Sequence, residues 1–372
     1  MLKPHTILIS TLCLSACAPV IEEVITPISI QKQFSATGTQ TLATHWWLSL
    51  EDKPLNALIE QALHENFNLK AMYQRLEQAN IEGKQSAAEL FPSLSATFSG
   101  QQQYSNSGDA HPFSLGLSAS YEIDLWGRIR ANKNAAELSA KATAEELKSV
   151  ALSLTYEIAI NWYRLIEQRS QLNLLNQQIQ TNQDNVSLLR TRFAGAKATA
   201  ADLYQQQQIL AASQGEQHTI IASIQVLQHQ LAILVGALPK THSFAPTAQL
   251  PDLSSQPNTG LSSDLIQRRP DLRNAYYQVQ AANQRIAAAI ADRFPKLSLS
   301  ANVNTNAPNL QSLFNNWIAT LAGNLILPII DGGRRVAIVD KNKSQAKAAL
   351  HQYANALQIA IKEVEDALIQ EQ

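Results

Sequence analysis

The sequence predicts a mainly α-helical chain built on long helical hairpins, with a small set of strands ahead of each hairpin. Three observations predict this class. The chain carries a long internal repeat: Phe91-Pro92 recurs at Phe294-Pro295, and Asn68-Leu69 matches Asp271-Leu272, both at an offset of 203. Residues 129–193 contain neither proline nor glycine. The segments beside each Phe-Pro pair alternate apolar and small polar side chains with the period of a strand. In the repeat frame Leu69 falls on Leu272, Tyr73 on Tyr276 and Ala79 on Ala282. A repeat of this length fixes the architecture, because each copy builds the same supersecondary unit.

Bulk properties remove some functions. A net charge of −1 over 372 residues, with no basic block, argues against a nucleic-acid binder. Lys3 precedes a short apolar run at residues 6–14, too short to span a bilayer as a mature helix. Leu14-Ser15-Ala16-Cys17 follows and resembles a bacterial lipobox. Residues 1–16 then read as a lipoprotein signal peptide, with Cys17 the acylated N-terminus of the mature chain. A disulfide or metal pair between Cys13 and Cys17 is the other reading. Acyl chains add about 0.8 kcal/mol of membrane affinity per buried CH₂. Ala18, in place of Asp, is compatible with sorting to an outer membrane. Residues 17–50 read as a lipid-anchored tether.

Residues 51–236 form the first repeat. Leu55, Leu58, Ile59, Ala62 and Leu63 recur at helical spacing, Asn66-Phe67-Asn68 marks a break, and a second helix covers residues 69–90. Leu94, Ala96 and Phe98 then alternate with Ser95, Thr97 and Ser99. After a polar loop near 105–111, Phe113, Leu115, Leu117, Ala119 and Tyr121 share one face, and Ser114, Gly116, Ser118, Ser120 and Glu122 the other. A hairpin on a soluble core would read the same way. The second copy repeats the pattern, with Leu297, Leu299, Ala301 and Val303 against Ser298, Ser300, Asn302 and Asn304. That favours membrane strands, with Phe113, Leu115 and Leu117 facing lipid. Residues 318–327 give a weaker fourth strand, with Leu321, Leu325 and Leu327 on one face. Four strands cannot close a membrane barrel, which needs at least about eight. Open edges in lipid leave backbone groups unpaired. If these strands span a membrane the chain must therefore oligomerise, and multiples of four allow a dimer or a trimer.

Gly127-Arg128 and Gly332-Gly333 read as strand-to-helix bends, Gly127 aligning with Gly333 at an offset of 206. No Lys-Ser/Thr follows to complete a phosphate loop. Residues 129–193 then make a helix of about 100 Å at 1.5 Å per residue. Leu147, Ala151, Leu154, Ile158, Trp162 and Leu165 mark its seam for side-by-side packing. Residues 194–199 are the turn and 201–235 the return arm. A Pro-, Ser- and Thr-rich linker covers 237–262, and the second repeat covers 263–372.

Several of these segments resemble one known family. Leu261-Ser262-Ser263-Asp264-Leu265-Ile266-Gln267-Arg268-Arg269-Pro270-Asp271-Leu272, the Phe294-Pro295-Lys296-Leu297-Ser298 run and Tyr121-Glu122-Ile123-Asp124-Leu125-Trp126-Gly127-Arg128 are similar to signatures of the outer-membrane factors of drug-efflux systems. These form the OprM/NodT-like lipoprotein branch of the TolC superfamily. The resemblance implies a homotrimer with a twelve-stranded barrel in the outer membrane and a helical barrel in the periplasm. It implies an exit duct of a tripartite pump, a passive conduit for drugs or other small molecules. Its partners would be a periplasmic adaptor, an inner-membrane pump of the resistance-nodulation-division type and outer-membrane lipid. The family's tip pattern places the adaptor contact at Ala196, Lys197, Ala198, Thr199 and Asp202. At this tip Ala196 occupies the family's glycine position, and Gly195 comes one residue early. The 206 offset puts the second return arm's end near position 442, about 70 residues past Gln372. The expectation is a C-terminally incomplete chain that is not a working conduit, with Ala346, Leu350 and Leu357 uncovered.

No catalytic, metal or cofactor motif stands out. The histidines show no H-E-x-x-H spacing, and Ser344-Gln345-Ala346-Lys347 matches S-x-x-K without partner motifs. The acids Glu145, Glu146, Glu363, Glu365 and Asp366 read as solvated or lumen-facing helix positions. The alternative function is a periplasmic adaptor lipoprotein, which would carry one hairpin rather than two copies with strands. A structural coiled-coil lipoprotein would leave the strands unexplained.

Overall fold

The computed structural model describes Phe34, residues 45–106, 108–240, Phe244, Pro246, Leu250 and residues 268–370. Cys17, the signal peptide, most of the tether and of the linker and residues 263–267 lie outside the described residues.

A 3-10 turn (Trp46–Leu50) leads into α1 (Lys53–Glu65) and α2 (Phe67–Ala88). Strands β1 (Ser93–Gly100) and β2 (Phe113–Ile123) precede the hairpin of α3 (Arg128–Ala194) and α4 (Ala200–Leu234). The second repeat gives α5 (Pro270–Ala291), β3 (Lys296–Ala307), a 3-10 turn (Leu310–Ser312), β4 (Trp317–Ile326) and α6 (Arg334–Gln370). The predicted elements are all present. The helix break narrows to Asn66, and Leu327 lies beyond the fourth strand.

The described residues divide into two compact units. One takes residues 76–144 and 271–363. Its sheet is antiparallel in the order β1-β2-β3-β4, so the hairpins of the two repeats join through β2 and β3. Below the strands, α5 packs along the start of α3. Ala131 meets Ala287 and Ala288, small side chains that let the helices approach closely. Asn274 Nδ2 donates to the carbonyl of Ala142 at 2.7 Å, and Arg285 donates to Ser139 Oγ at 3.0 Å. In the same unit Leu357 is fully buried, Ala346 is buried and Leu350 is half-buried. The expectation that these three positions go uncovered is therefore corrected: the chain's own residues cover them.

The other unit takes the described residues among 31–75, 145–270 and 364–372. Its core sets Leu55, Ile59 and Ala62 of α1 and Leu69 of α2 against Ile158, Trp162 and Leu165 of α3 and Leu231 and Val235 from the end of α4. The heptad-like residues of α3 thus face a core, as their spacing predicts. Asp52 caps α1 by accepting from the Leu55 amide at 3.0 Å, and its second oxygen accepts from Trp162 Nε1 at 2.8 Å. Asn66 caps α2 and donates to the carbonyl of Leu234 at 2.9 Å. Gly236 ends α4 at φ 79, and a Cβ there would lie 2.5 Å from the Glu65 carbonyl oxygen. Farther along, Leu175, Ile179 and Ile220 pack, and a polar layer follows. Asn182 donates to Ser213 and accepts from Gln206. Glu145 is 4% exposed and pairs with Lys148 at 2.9 Å, which corrects its reading as a solvated or lumen-facing acid.

Candidate functional site

The sheet is a wall with two chemically different faces. Antiparallel register puts Leu94, Ala119, Ala301 and Leu321 in one row across all four strands. Ala96, Leu117, Val303 and Ala319 form the next row, and Phe98, Leu115, Thr305 and Trp317 the one after. Phe113 stacks on Phe98 at the same end. The sequence-predicted Phe113, Leu115 and Leu117 therefore share the apolar face. The reverse face carries hydroxyl and amide groups. Ser118 donates to Asn302 Oδ1 at 2.6 Å, and the Ser99 and Ser114 hydroxyls lie 2.6 Å apart. Alternation puts Gly116 on this face, opposite Thr97 and Asn304, where a Cβ would come within 2.6 Å of Asn304 Oδ1 and 2.9 Å of Thr97 Oγ1. Strand β4 alternates less strictly: Ile318, Ala322 and Ile326 fall on the polar side. Strands β1 and β4 each pair on one side only among the described residues.

The wall turns into helix at two corners. In the first, Gly127 adopts φ 76. Asp124 accepts from the amides of Ile129 and Arg130 at 3.0 and 2.9 Å, satisfying free N–H groups of the helix start. Arg128 grips both oxygens of Glu122 at 3.0 Å. Trp126 stacks on Phe294 with ring centroids 4.8 Å apart and donates to the Pro295 carbonyl at 2.8 Å. The second corner uses two left-handed glycines, Gly332 at φ 65 and Gly333 at φ 83. Asp331 accepts from the Gly333 amide, and Arg335 bridges Asp331 and Asp292 at 3.0 and 3.2 Å. Burial opposes ionisation of Asp292, but Lys296 and the charges of Arg335 and Arg128 outweigh it and hold the carboxyl below its ordinary range. Sequence reasoning found the glycines and missed Trp126, Asp292 and Arg335. Their partners come from the other repeat or another element, and the Arg334-Arg335 pair after Gly332-Gly333 was the one local hint.

The hairpin tip is a helix stop followed by a helix start. Lys197 N–H donates to the Arg192 carbonyl and Ala196 N–H to the Phe193 carbonyl, the paired bonds of a Schellman stop. That motif requires a left-handed residue, and Ala196 supplies it at φ 53. Gly195 does not stand in for it. Thr199 then caps α4 in a box with Asp202: the Asp202 amide donates to Thr199 Oγ1, and Asp202 Oδ2 accepts from the Thr199 amide at 2.9 Å. The Thr199 hydroxyl, then its backbone N–H, hold the Asp202 carboxyl below its ordinary range. Lys197 and Ala198 lie in the turn between the two motifs.

Among the described residues no helix is long and apolar enough to cross a membrane. Nor do three His, Cys, Asp or Glu side chains among them gather as a metal site would require. A four-stranded wall with two different faces and a hairpin of long helices are features this chain shares with channel proteins of the outer membrane. Residues 58–237 and 261–372 match the family described as outer membrane efflux protein, and the chain belongs to that family. It is similar to the pyoverdine export outer membrane protein OpmQ of Pseudomonas aeruginosa, 30% identical over 99% of this chain and 81% of the relative. It is also similar to the outer membrane protein OprJ of Pseudomonas aeruginosa, 27% identical over 97% of this chain and 79% of the relative. A crystallised membrane protein from Pseudomonas aeruginosa superposes with a TM-score of 0.84 at 27% identity, over 95% of this chain and 83% of that one. The outer membrane protein VceC of Vibrio cholerae gives 0.79 at 26% identity, over 88% and 81%. The protein is thus an outer-membrane channel of a tripartite efflux pump, and not an enzyme or an adaptor.

Proposed function

We propose that three copies close a twelve-stranded barrel through which small molecules leave the cell. The observation that carries this reading is the four-stranded sheet with one apolar face and two open edges. An open edge in hydrocarbon costs several kcal/mol per unpaired group, so β1 and β4 need partners. An even strand count makes β4 of one copy antiparallel to β1 of the next, which permits ring closure. Two copies would also close; the family relationship favours three. Phe113, Leu115 and Leu117 then face lipid, and the serine and asparagine face lines the lumen.

The helical hairpins extend the conduit into the periplasm, and an inner-membrane pump supplies the energy. The turn at Ala196, Lys197, Ala198 and Thr199, with Asp202, meets a periplasmic adaptor and a pump of the resistance-nodulation-division type. Its exposed backbone and its place at the end of a helix of 67 residues support this. Residues 1–16 are a signal peptide and Cys17 is acylated, a reading supported by Leu14-Ser15-Ala16-Cys17. Relatives are named for exporting pyoverdine, for solvent efflux and for cation efflux, so the cargo of this chain is proposed only as small solutes.

A cysteine at Lys197 tests the assembly. It should crosslink in cells to an adaptor, while the chain runs as an oligomer three times its mass on non-denaturing gels. Crosslinks confined to outer-membrane proteins would refute the tip assignment, and a two-fold mass would refute the trimer. Radiolabelled palmitate should enter the wild type and not Cys17→Ser.

A further inference from the structure

Between β4 and α6 the chain runs through Leu327-Pro328-Ile329-Ile330-Asp331-Gly332-Gly333-Arg334. Ile329 is 84% exposed and Ile330 92%, and Leu327 is also exposed. The first corner repeats the theme, with exposed Leu125. Adjoining exposed apolar side chains form a patch of the kind that marks an interaction surface. Strand β4 ends at Ile326; along the sequence Leu325, Leu327 and Ile329 continue the odd positions of Trp317 and Leu321, which lie on the apolar face of β4. A cation accompanies each corner. Arg130 pairs with Asp124 at 3.2 Å. Arg334 is exposed and makes no ion pair among the described residues, since Asp331 is taken by Arg335.

Apolar side chains next to a free guanidinium match the boundary of a phospholipid leaflet, where acyl chains give way to phosphates. We propose that residues 327–334 form an interfacial lipid anchor outside the strands. Leu327, Ile329 and Ile330 enter the edge of the leaflet on the helical side of the barrel, and Arg334 meets its phosphate groups. This rests on the reading that the apolar face of the sheet meets lipid. It adds a membrane contact that the strands do not supply. A second copy of the chain is the competing occupant, and the mass of the adducts in the experiment below separates it from lipid.

The photoreactive residue p-benzoylphenylalanine, placed singly at Ile329, Ile330, Leu321 and Ser118 of the full chain, separates these outcomes. Cells grown on radiolabelled phosphate are irradiated, and the purified chain is scored for labelled lipid adducts. Ile329 and Ile330 should give adducts at a level comparable with Leu321 and about tenfold above Ser118 on the lumen face. Adducts at twice the chain mass, or no adducts, at Ile329 and Ile330 would overturn the anchor if Leu321 still labels lipid. No lipid adduct at Leu321 would bring down the lipid-facing reading itself, and the anchor with it.

Discussion

Leu117 and Ser118 are neighbours in sequence and point to opposite faces of β2, so arginine at each position asks the same strand two different questions. Strand β2 has 11 residues, which puts Ser118 at its centre and Leu117 one step away. Leu117 sits between Ala96 and Val303 on the apolar face. An arginine facing lipid at the midplane costs roughly 2–4 kcal/mol, so the proposed ring of three copies would bear roughly 6–12 kcal/mol. Leu115 lies two positions nearer the strand end, about 7 Å at 3.4 Å per residue, where the cost falls toward the interface. Ser118→Arg loses one exposed hydrogen bond to Asn302, worth about 0.5–1.5 kcal/mol, in a watery lumen. The assay is recovery of detergent-resistant oligomer from the outer-membrane fraction. Leu117→Arg should reduce recovery more than about tenfold, Leu115→Arg less, and Ser118→Arg least. Equal recovery of Leu117→Arg and Ser118→Arg would refute the assignment of faces and restore a hairpin on a soluble core.

Gly236→Ala should destabilise the helical unit by about 2–3 kcal/mol, seen as a lower melting temperature in detergent, because its Cβ would press on the Glu65 backbone at a left-handed φ. Ala196→Gly should relieve a left-handed alanine worth about 1 kcal/mol, slowing hydrogen exchange of the Ala196 and Lys197 amides about fivefold. Unchanged exchange would show that the tip holds no such strain. Burial first, then the Asp52 carboxylate, push the Tyr163 phenol up to about 12 from its ordinary 10.0. A raised folded value means the contribution is intact below pH 10 and is lost as pH rises through about 12. Tyr163→Phe should therefore lose less stability than the wild type over that alkaline window, in denaturant titrations at matched ionic strength.

Much of this molecule could be read from residue order alone. The strand faces follow from period-two alternation, which is local, and Phe113, Leu115 and Leu117 stand where that alternation places them. The long helix follows from the lack of proline and glycine over residues 129–193, and the corners from Gly127, Gly332 and Gly333. At the tip the family's glycine position is held by Ala196, one residue after Gly195, and it is Ala196 that takes the left-handed conformation. Helix-stop hydrogen bonds select that position by geometry, and a single methyl group is too small a penalty to move it.

What sequence left undecided depends on residues far apart along the chain. Alternation does not say which strands are neighbours; the pairing of β2 with β3 does, and it leaves β1 and β4 as the edges that need partners. Nor does charge reveal burial. Asp52 and Glu145 look like ordinary surface acids, yet Asp52 lies under Trp162 and Glu145 is buried beside Lys148. Arg335 finds Asp292 across 43 positions. Propensity and periodicity act over a few residues, whereas these contacts form only when the hydrophobic effect brings distant segments together.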